Sequence, residues 1–185
     1  ITKGQSVDFL WLESIENDAF IGYLSSFTFI ILAIISPLLS GIADHTGHKK
    51  LFMKLFCYLG SISCILLYSF DMDNFDLGLI FYFFAIIGFW GSLVFYNSYL
   101  PDIADIEQQD FTSAKGYSLG YLGSIILLIF CLLLTEFPDF FHLDDKTHAV
   151  KVSFVLVGLW WLLFSQYSFY YLPGRNYYNT NKSNL

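Results

Sequence analysis

The chain has 185 residues, of which 56% are hydrophobic and 21% aromatic but only 14% charged, about half the charged share of an ordinary soluble domain. So few polar side chains cannot clothe a globular surface, which excludes a soluble domain and leaves lipid as the solvent for much of the chain. The net charge of −7 sits in short clusters between long uncharged stretches, a pattern that marks loops and opposes nucleic-acid binding.

Residues 1–18 lack the basic start and small-residue cleavage site of a signal peptide and read as an extracytoplasmic loop. Uncharged stretches then run from Ala19 to Ala43, Leu55 to Phe70, Leu77 to Pro101, Gly116 to Thr135 and Val152 to Gly174. A bilayer-spanning helix needs about 17–25 apolar residues, and four stretches meet this directly. The second reaches it through Leu51, Phe52 and Met53 if Lys54 snorkels its ammonium toward the headgroups. Spans are therefore predicted at about 19–43, 51–70, 77–100, 116–135 and 152–172, a transmembrane helical bundle over 19–172, with 173–185 as the start of a cytoplasmic linker. Runs such as Phe29 to Ile35 are apolar on every side and lack the period-2 alternation of an outer-membrane barrel, so helices are the way to satisfy the backbone in lipid. Pro101, Pro138 and Pro173 punctuate span ends, while Pro37 sits inside the first span, where a kink is expected.

Orientation follows from the loop lysines and arginines. Lys49, Lys50, Lys54, Lys115, Arg175 and Lys182 fall on one side and Lys3, Lys146 and Lys151 on the other, so the positive-inside rule puts the first set in the cytoplasm. Residue 1 then lies outside and residue 185 inside. Since transporters usually start in the cytoplasm, one further span is expected before Ile1. Cys57, Cys64 and Cys131 all lie in apolar runs, and an odd count without Cys-x-x-Cys spacing argues against a disulfide framework or a zinc site.

Between the first two spans the chain reads Asp44-His45-Thr46-Gly47-His48-Lys49-Lys50. An aspartate at a helix exit, a glycine for a tight turn and then cations are the groups needed where helices are pinned by a charge contact that can break and re-form. An ordinary hairpin with positive-inside lysines has the same composition. The third and fourth spans carry strips of small residues at helical spacing, Gly88 with Ser92 and Gly116 with Gly120 and Gly123, which let helices approach closely in lipid. Trp90 and Asn97 are seven residues apart and share a face opposite the first strip; with Tyr121 they are the polar and aromatic groups available to a substrate path. His142 and His148 flank Asp144 and Asp145 at a spacing that fits no ordinary metal site. No catalytic motif appears, and neither a metal nor another cofactor is called for.

The Asp44 to Lys50 loop resembles the signature between the second and third helices of the major facilitator superfamily, roughly Gly-x-x-x-Asp-basic-x-Gly-basic-basic, with Ser40 standing at its first glycine. The blocks Phe95-Tyr96-Asn97 to Leu100-Pro101 and Gly116 to Gly123 resemble the vacuole effluxer branch of that superfamily, and the likeness covers essentially the whole chain. The resemblance implies an all-α polytopic membrane protein whose five spans are helices two to six of a major-facilitator bundle. The remainder of that bundle, its first helix and its carboxy-terminal half, would be the same chain's missing partner. It also implies that Asp44, His45, Gly47, His48, Lys49 and Lys50 form a cytoplasmic conformational gate. The expected function is secondary transport of a small solute, amino acids being the class the resemblance suggests, across a bacterial inner membrane or a vacuolar membrane. The competing reading is a non-transporting membrane scaffold or assembly protein, and a membrane enzyme would require catalytic groups outside these residues.

Overall fold

The computed structural model describes residues 6–9, 12–71 and 75–173. Trp11 and the linker from Gly174 on fall outside these residues, as does the Asp44 side chain. The protein is an all-α bundle of membrane-crossing helices, and five of its helices are long and apolar enough to cross a membrane.

Strands β1 (Ser6–Phe9) and β2 (Leu12–Glu16) pair antiparallel and set Val7 against Ile15 and Phe9 against Leu12. The sequence reading places these residues in a loop. The two strands are too short for hydropathy to reveal, and the signal available is the alternation of polar and apolar residues from Ser6 to Phe9 in the first.

Helix α1 (Asn17–Thr46) continues through Pro37. Gly47 then turns the chain with φ 69°, a left-handed conformation that glycine adopts without the clash a Cβ would bring, and the His48 amide donates back to the Ala43 carbonyl at 3.1 Å. Helix α2 (Lys49–Leu66) returns across the bundle and ends in a 3-10 turn, Leu67–Ser69. Helix α3 (Phe75–Ser98) runs back and is followed by the short α4 (Leu100–Ile103), where Pro101 occupies a first-turn position that needs no N–H donor. Helix α5 (Gln109–Glu136) starts in the polar segment, seven residues before the uncharged stretch, and so carries Lys115 within it. The connection to α6 (Lys146–Tyr171) uses a 3-10 turn over Pro138–Phe141 and His142 at φ 58°. Asp145 caps α6 by accepting from the His148 amide at 2.6 Å, which satisfies one of the unpaired amides of the first turn.

Helix α2 is the hub, with α3 on one side and α6 on the other; α1 packs outside α3, and α5 rests on α6. Glycines set the close approaches. Gly60 of α2 faces Gly88 of α3 so tightly that a Cβ on Gly60 would lie 3.1 Å from the Gly88 Cα, and Gly91 sits under the Phe56 ring. Gly158 of α6 lies where a Cβ would stand 2.7 Å from the carbonyl oxygen of Ser61, itself fully buried. Without a hydrophobic drive between helices in lipid, such contacts and their dispersion are what hold spans together. The tightest core gathers Ala43, Met53, Cys57, Phe95, Tyr99 and Phe169, toward the end of the bundle that carries Lys49 and Lys50.

Candidate functional site

Two features stand out: a lysine-bearing end and a cleft beside it. At that end the two adjacent lysines of α2's first turn reach in different directions. Lys49 Nζ pairs with the Asp102 carboxylate at 3.2 Å and donates to the Ser98 carbonyl at 3.3 Å. Lys50 Nζ donates to the Leu172 carbonyl at the end of α6, 2.7 Å away. Cations there also complement the negative ends of the helix dipoles of α3 and α6. The Lys49 and Asp102 side chains are only 15% and 14% exposed, so the pair is shielded from the screening that leaves surface ion pairs nearly worthless. Tyr99, beside Asp102, donates to the Pro173 carbonyl at 3.4 Å. Burial pushes its phenol up to about 12, with the Asp102 charge adding to the effect, so it stays a donor throughout the physiological range. Lys54 lies 5.4 Å from the Phe169 ring centroid. Three helix ends are thus tied to the start of α2.

The expected gate residues gather at this end in part. Gly47 makes the turn, His48 is the N-cap residue of α2, and His45 is exposed in the last turn of α1. Sequence reasoning missed Asp102, Tyr99 and Leu172. Opposite charge on the same side of the membrane was the available signal for Asp102, and no residue type marks a carbonyl acceptor.

The cleft, about 880 Å³, opens between α2, α3, α5 and α6. Phe89, Phe154, Trp160, Trp161 and Phe164 supply aromatic wall; hydroxyls come from residues such as Ser92, Tyr96, Tyr117, Ser124 and Ser165. Gly116 and Gly120 open onto it, while Gly123 sits beside Trp160 at the 3.9 Å that a Cβ would show. Gly88 and Ser92 are buried in the α2 contact, Ser92 also reaching the cleft. The three expected path residues are dispersed. Trp90 packs edge-on against Phe29 of α1 at 5.5 Å, and Tyr121 points away, 68% exposed. Asn97 is linked to the cleft through Tyr117, whose hydroxyl donates to its Oδ1 at 2.9 Å.

The opposite end is held by exposed polar contacts. Lys151 pairs with Asp71 at 3.2 Å and Lys146 with Glu136 at 3.3 Å, while the His148 ring stands 3.0 Å from Asp144 and 3.4 Å from the Tyr68 hydroxyl.

A polytopic helical bundle with glycine crossings and an Asp-x-x-Gly-basic turn tied to neighbouring helix ends matches one family across nearly its whole length, since the family model described as "Vacuole effluxer Atg22 like" aligns with residues 3–184. The chain belongs to this Atg22-like vacuole effluxer family. Among its relatives is an uncharacterized MFS-type transporter, YxiO, of Bacillus subtilis, 32% identical over 151 residues, which cover 81% of this chain and 35% of that protein. An uncharacterized protein of Aquifex aeolicus is 33% identical over 77% of the chain and 32% of its own length. The Autophagy-related protein 22-1 of Aspergillus fumigatus is 22% identical over 87% of the chain and 37% of its own length. The chain thus spans about a third of the length of the curated relatives it matches. No solved structure matches it. Family and helices together make this Atg22-like chain a multi-pass integral membrane protein.

Proposed function

We propose that the full protein carrying this chain is a secondary transporter that moves a small solute by alternating access, with amino acids the substrate class to test first. The observation that carries this reading is the Lys49–Lys50 end. A signature turn of the superfamily folds so that two adjacent cations clasp a half-buried carboxylate and the carbonyl end of a third span. Such contacts hold helix ends in one arrangement and release them by exchange of a few hydrogen bonds, as a two-state element requires. The MFS-type transporter name of the Bacillus subtilis relative and the effluxer name of the family support the same reading.

In this account the lysine end faces the cytoplasm, Asp44, His45, Gly47, His48, Lys49 and Lys50 form the gate, and the remaining spans of the longer chain complete the substrate path. Asn97, Tyr121 and Trp90 stay proposed contributors to that path, with Asn97 acting beside Tyr117. The gate is tested by transport assays on the full-length protein with Asp44→Asn and Lys49→Gln. Both variants should reach the membrane in normal amounts and lower the transport rate several-fold. Wild-type rates in both would end the gating role.

A further inference from the structure

We propose that the groove where α2 and α6 meet at the lysine end binds the headgroup of an anionic phospholipid, with Lys54 as its principal phosphate contact. Charge carries the argument first. Lys50 and Lys54 stand one turn apart on the α2 face that meets α6, about 6 Å along the axis, close to the depth of one interfacial layer of a bilayer. Lys54 is the last charge before the uncharged stretch that starts at Leu55, which sets it at the edge of the hydrocarbon. Among the described residues neither lysine is paired with a carboxylate, Asp102 being engaged by Lys49. Lys50 is held by a neutral partner, the Leu172 carbonyl, and Lys54 lies over the Phe169 ring, 5.4 Å from its centroid. Both contacts position an ammonium and neither cancels its charge. Two fixed, unneutralised cations at a membrane surface attract the phosphodiester of an anionic lipid.

The groove continues inward in the order that a phospholipid does. One turn below Lys54, the Tyr58 hydroxyl donates to the Gln166 Oε1 at 3.1 Å, and the Gln166 amide donates to the Leu162 carbonyl at 2.9 Å. Polar side chains inside an apolar span are costly. These two satisfy each other at the rim of the groove, Gln166 staying exposed, at the level where the ester groups of a lipid held by Lys54 would lie. Beyond them the surface is apolar. About 100° around α2 from the lysines, Leu51, Leu55, Leu59, Ile62 and Leu66 recur every three or four residues and are 37–55% exposed. That stripe is about 22 Å long, enough to carry an acyl chain through the ~15 Å of one leaflet's hydrocarbon. On the α6 side Tyr170, 81% exposed, offers an aromatic ring of the kind that sits at headgroup level. A soluble anion would use the cations alone, whereas cations, then a hydrogen-bonded pair, then an apolar stripe match headgroup, ester and chain. A zwitterionic headgroup brings its own ammonium against both lysines, so a lipid of net negative charge is favoured. The site depends on the helices' crossing a membrane and is independent of what the full protein transports.

Native mass spectrometry of the full-length protein tests it. Delipidated protein in detergent is mixed with equal amounts of dioleoylphosphatidylglycerol and dioleoylphosphatidylcholine, and the lipid retained after release from the micelle is counted per protein. Wild-type protein should hold phosphatidylglycerol several-fold over phosphatidylcholine. Lys54→Gln should lose one bound phosphatidylglycerol per protein, and Lys54→Arg, which keeps the charge, should retain it. Lys151→Gln, which removes a cation paired with Asp71 at the opposite end, should leave the count unchanged. Equal retention of the two lipids by the wild type, or an undiminished count in Lys54→Gln, overturns the proposal. So does an equal loss in Lys151→Gln, which would mean that lipid charge is sensed over the whole surface, or in Lys54→Arg, which would mean that the residue acts through packing. Full displacement by millimolar sn-glycerol 3-phosphate overturns it too, because the ligand would then be a soluble phosphate ester. Because no solute is moved, failure here leaves the transport reading untouched, and failure of transport leaves this one untouched.

Discussion

Gly60 and Gly88 bring the backbones of α2 and α3 into contact, and there a side chain has nowhere to go but into the facing main chain. Gly88→Val should therefore cost about 1–3 kcal/mol, as overpacking of a close-packed interface does. It would be read as a lower melting temperature of the detergent-purified protein. Gly22→Val, where a Cβ meets nothing within 4 Å, should leave that temperature nearly unchanged. Lys49 and Asp102 give the second residue-scale expectation. Their largely buried pairing should show a coupling of about 1–2 kcal/mol in a double-mutant cycle of Lys49→Ala and Asp102→Ala, above the value of an exposed pair and below that of a fully desolvated one. Additive single effects would mean that the contact contributes nothing. Gly47 was legible in advance, because a turn between two long helices demands a residue free to take positive φ. Asp102 was not, because pairing depends on how α3 ends relative to α2, and that is set by the Gly60–Gly88 crossing, 11 residues from Lys49 and 14 from Asp102 along the chain.

At the scale of elements, the spans were legible because a lipid solvent forces long uncharged runs and leaves hydropathy with little competition. The polar start of α5 from Gln109 was harder to see, since helix continues past the apolar run once Gln109 to Lys115 can face water at the bundle's end. The open attachment of α5 was invisible to periodicity, because a helix that is apolar all round looks alike whether its neighbour is protein or lipid. Orientation is checkable at this scale too. With Cys57, Cys64, Cys131 and any further native cysteine of the full-length protein replaced, Gln108→Cys should react with a membrane-impermeant maleimide only from the cytoplasmic side. Asp144→Cys, at a side chain 92% exposed at the other end, should react only from the outer side. The reverse pattern would place the lysine end outside and remove it as a cytoplasmic gate.

For the whole molecule, the helices divide into a tight group and a loose one. α2 with α3 and α6 forms a glycine-locked hub, while α1 and α5 lie at its margins. A rigid hub with lysine contacts at one end is suited to move as a unit, the form of motion that rocking transporters use around a fixed site. The proposed substrate path was the least legible part of the sequence. Trp90, Asn97 and Tyr121 share a polar or aromatic character, but helix packing decides which faces meet, and it turns Trp90 toward α1 and Tyr121 outward. Solute transport by the full-length protein is read as flux in liposomes. Purified full-length protein, reconstituted and supplied in turn with each radiolabelled amino acid, should transport at least one of them faster than empty vesicles. Flux equal to that of empty vesicles for every amino acid would contradict the amino-acid assignment, and the same outcome across small solutes generally would contradict transport itself.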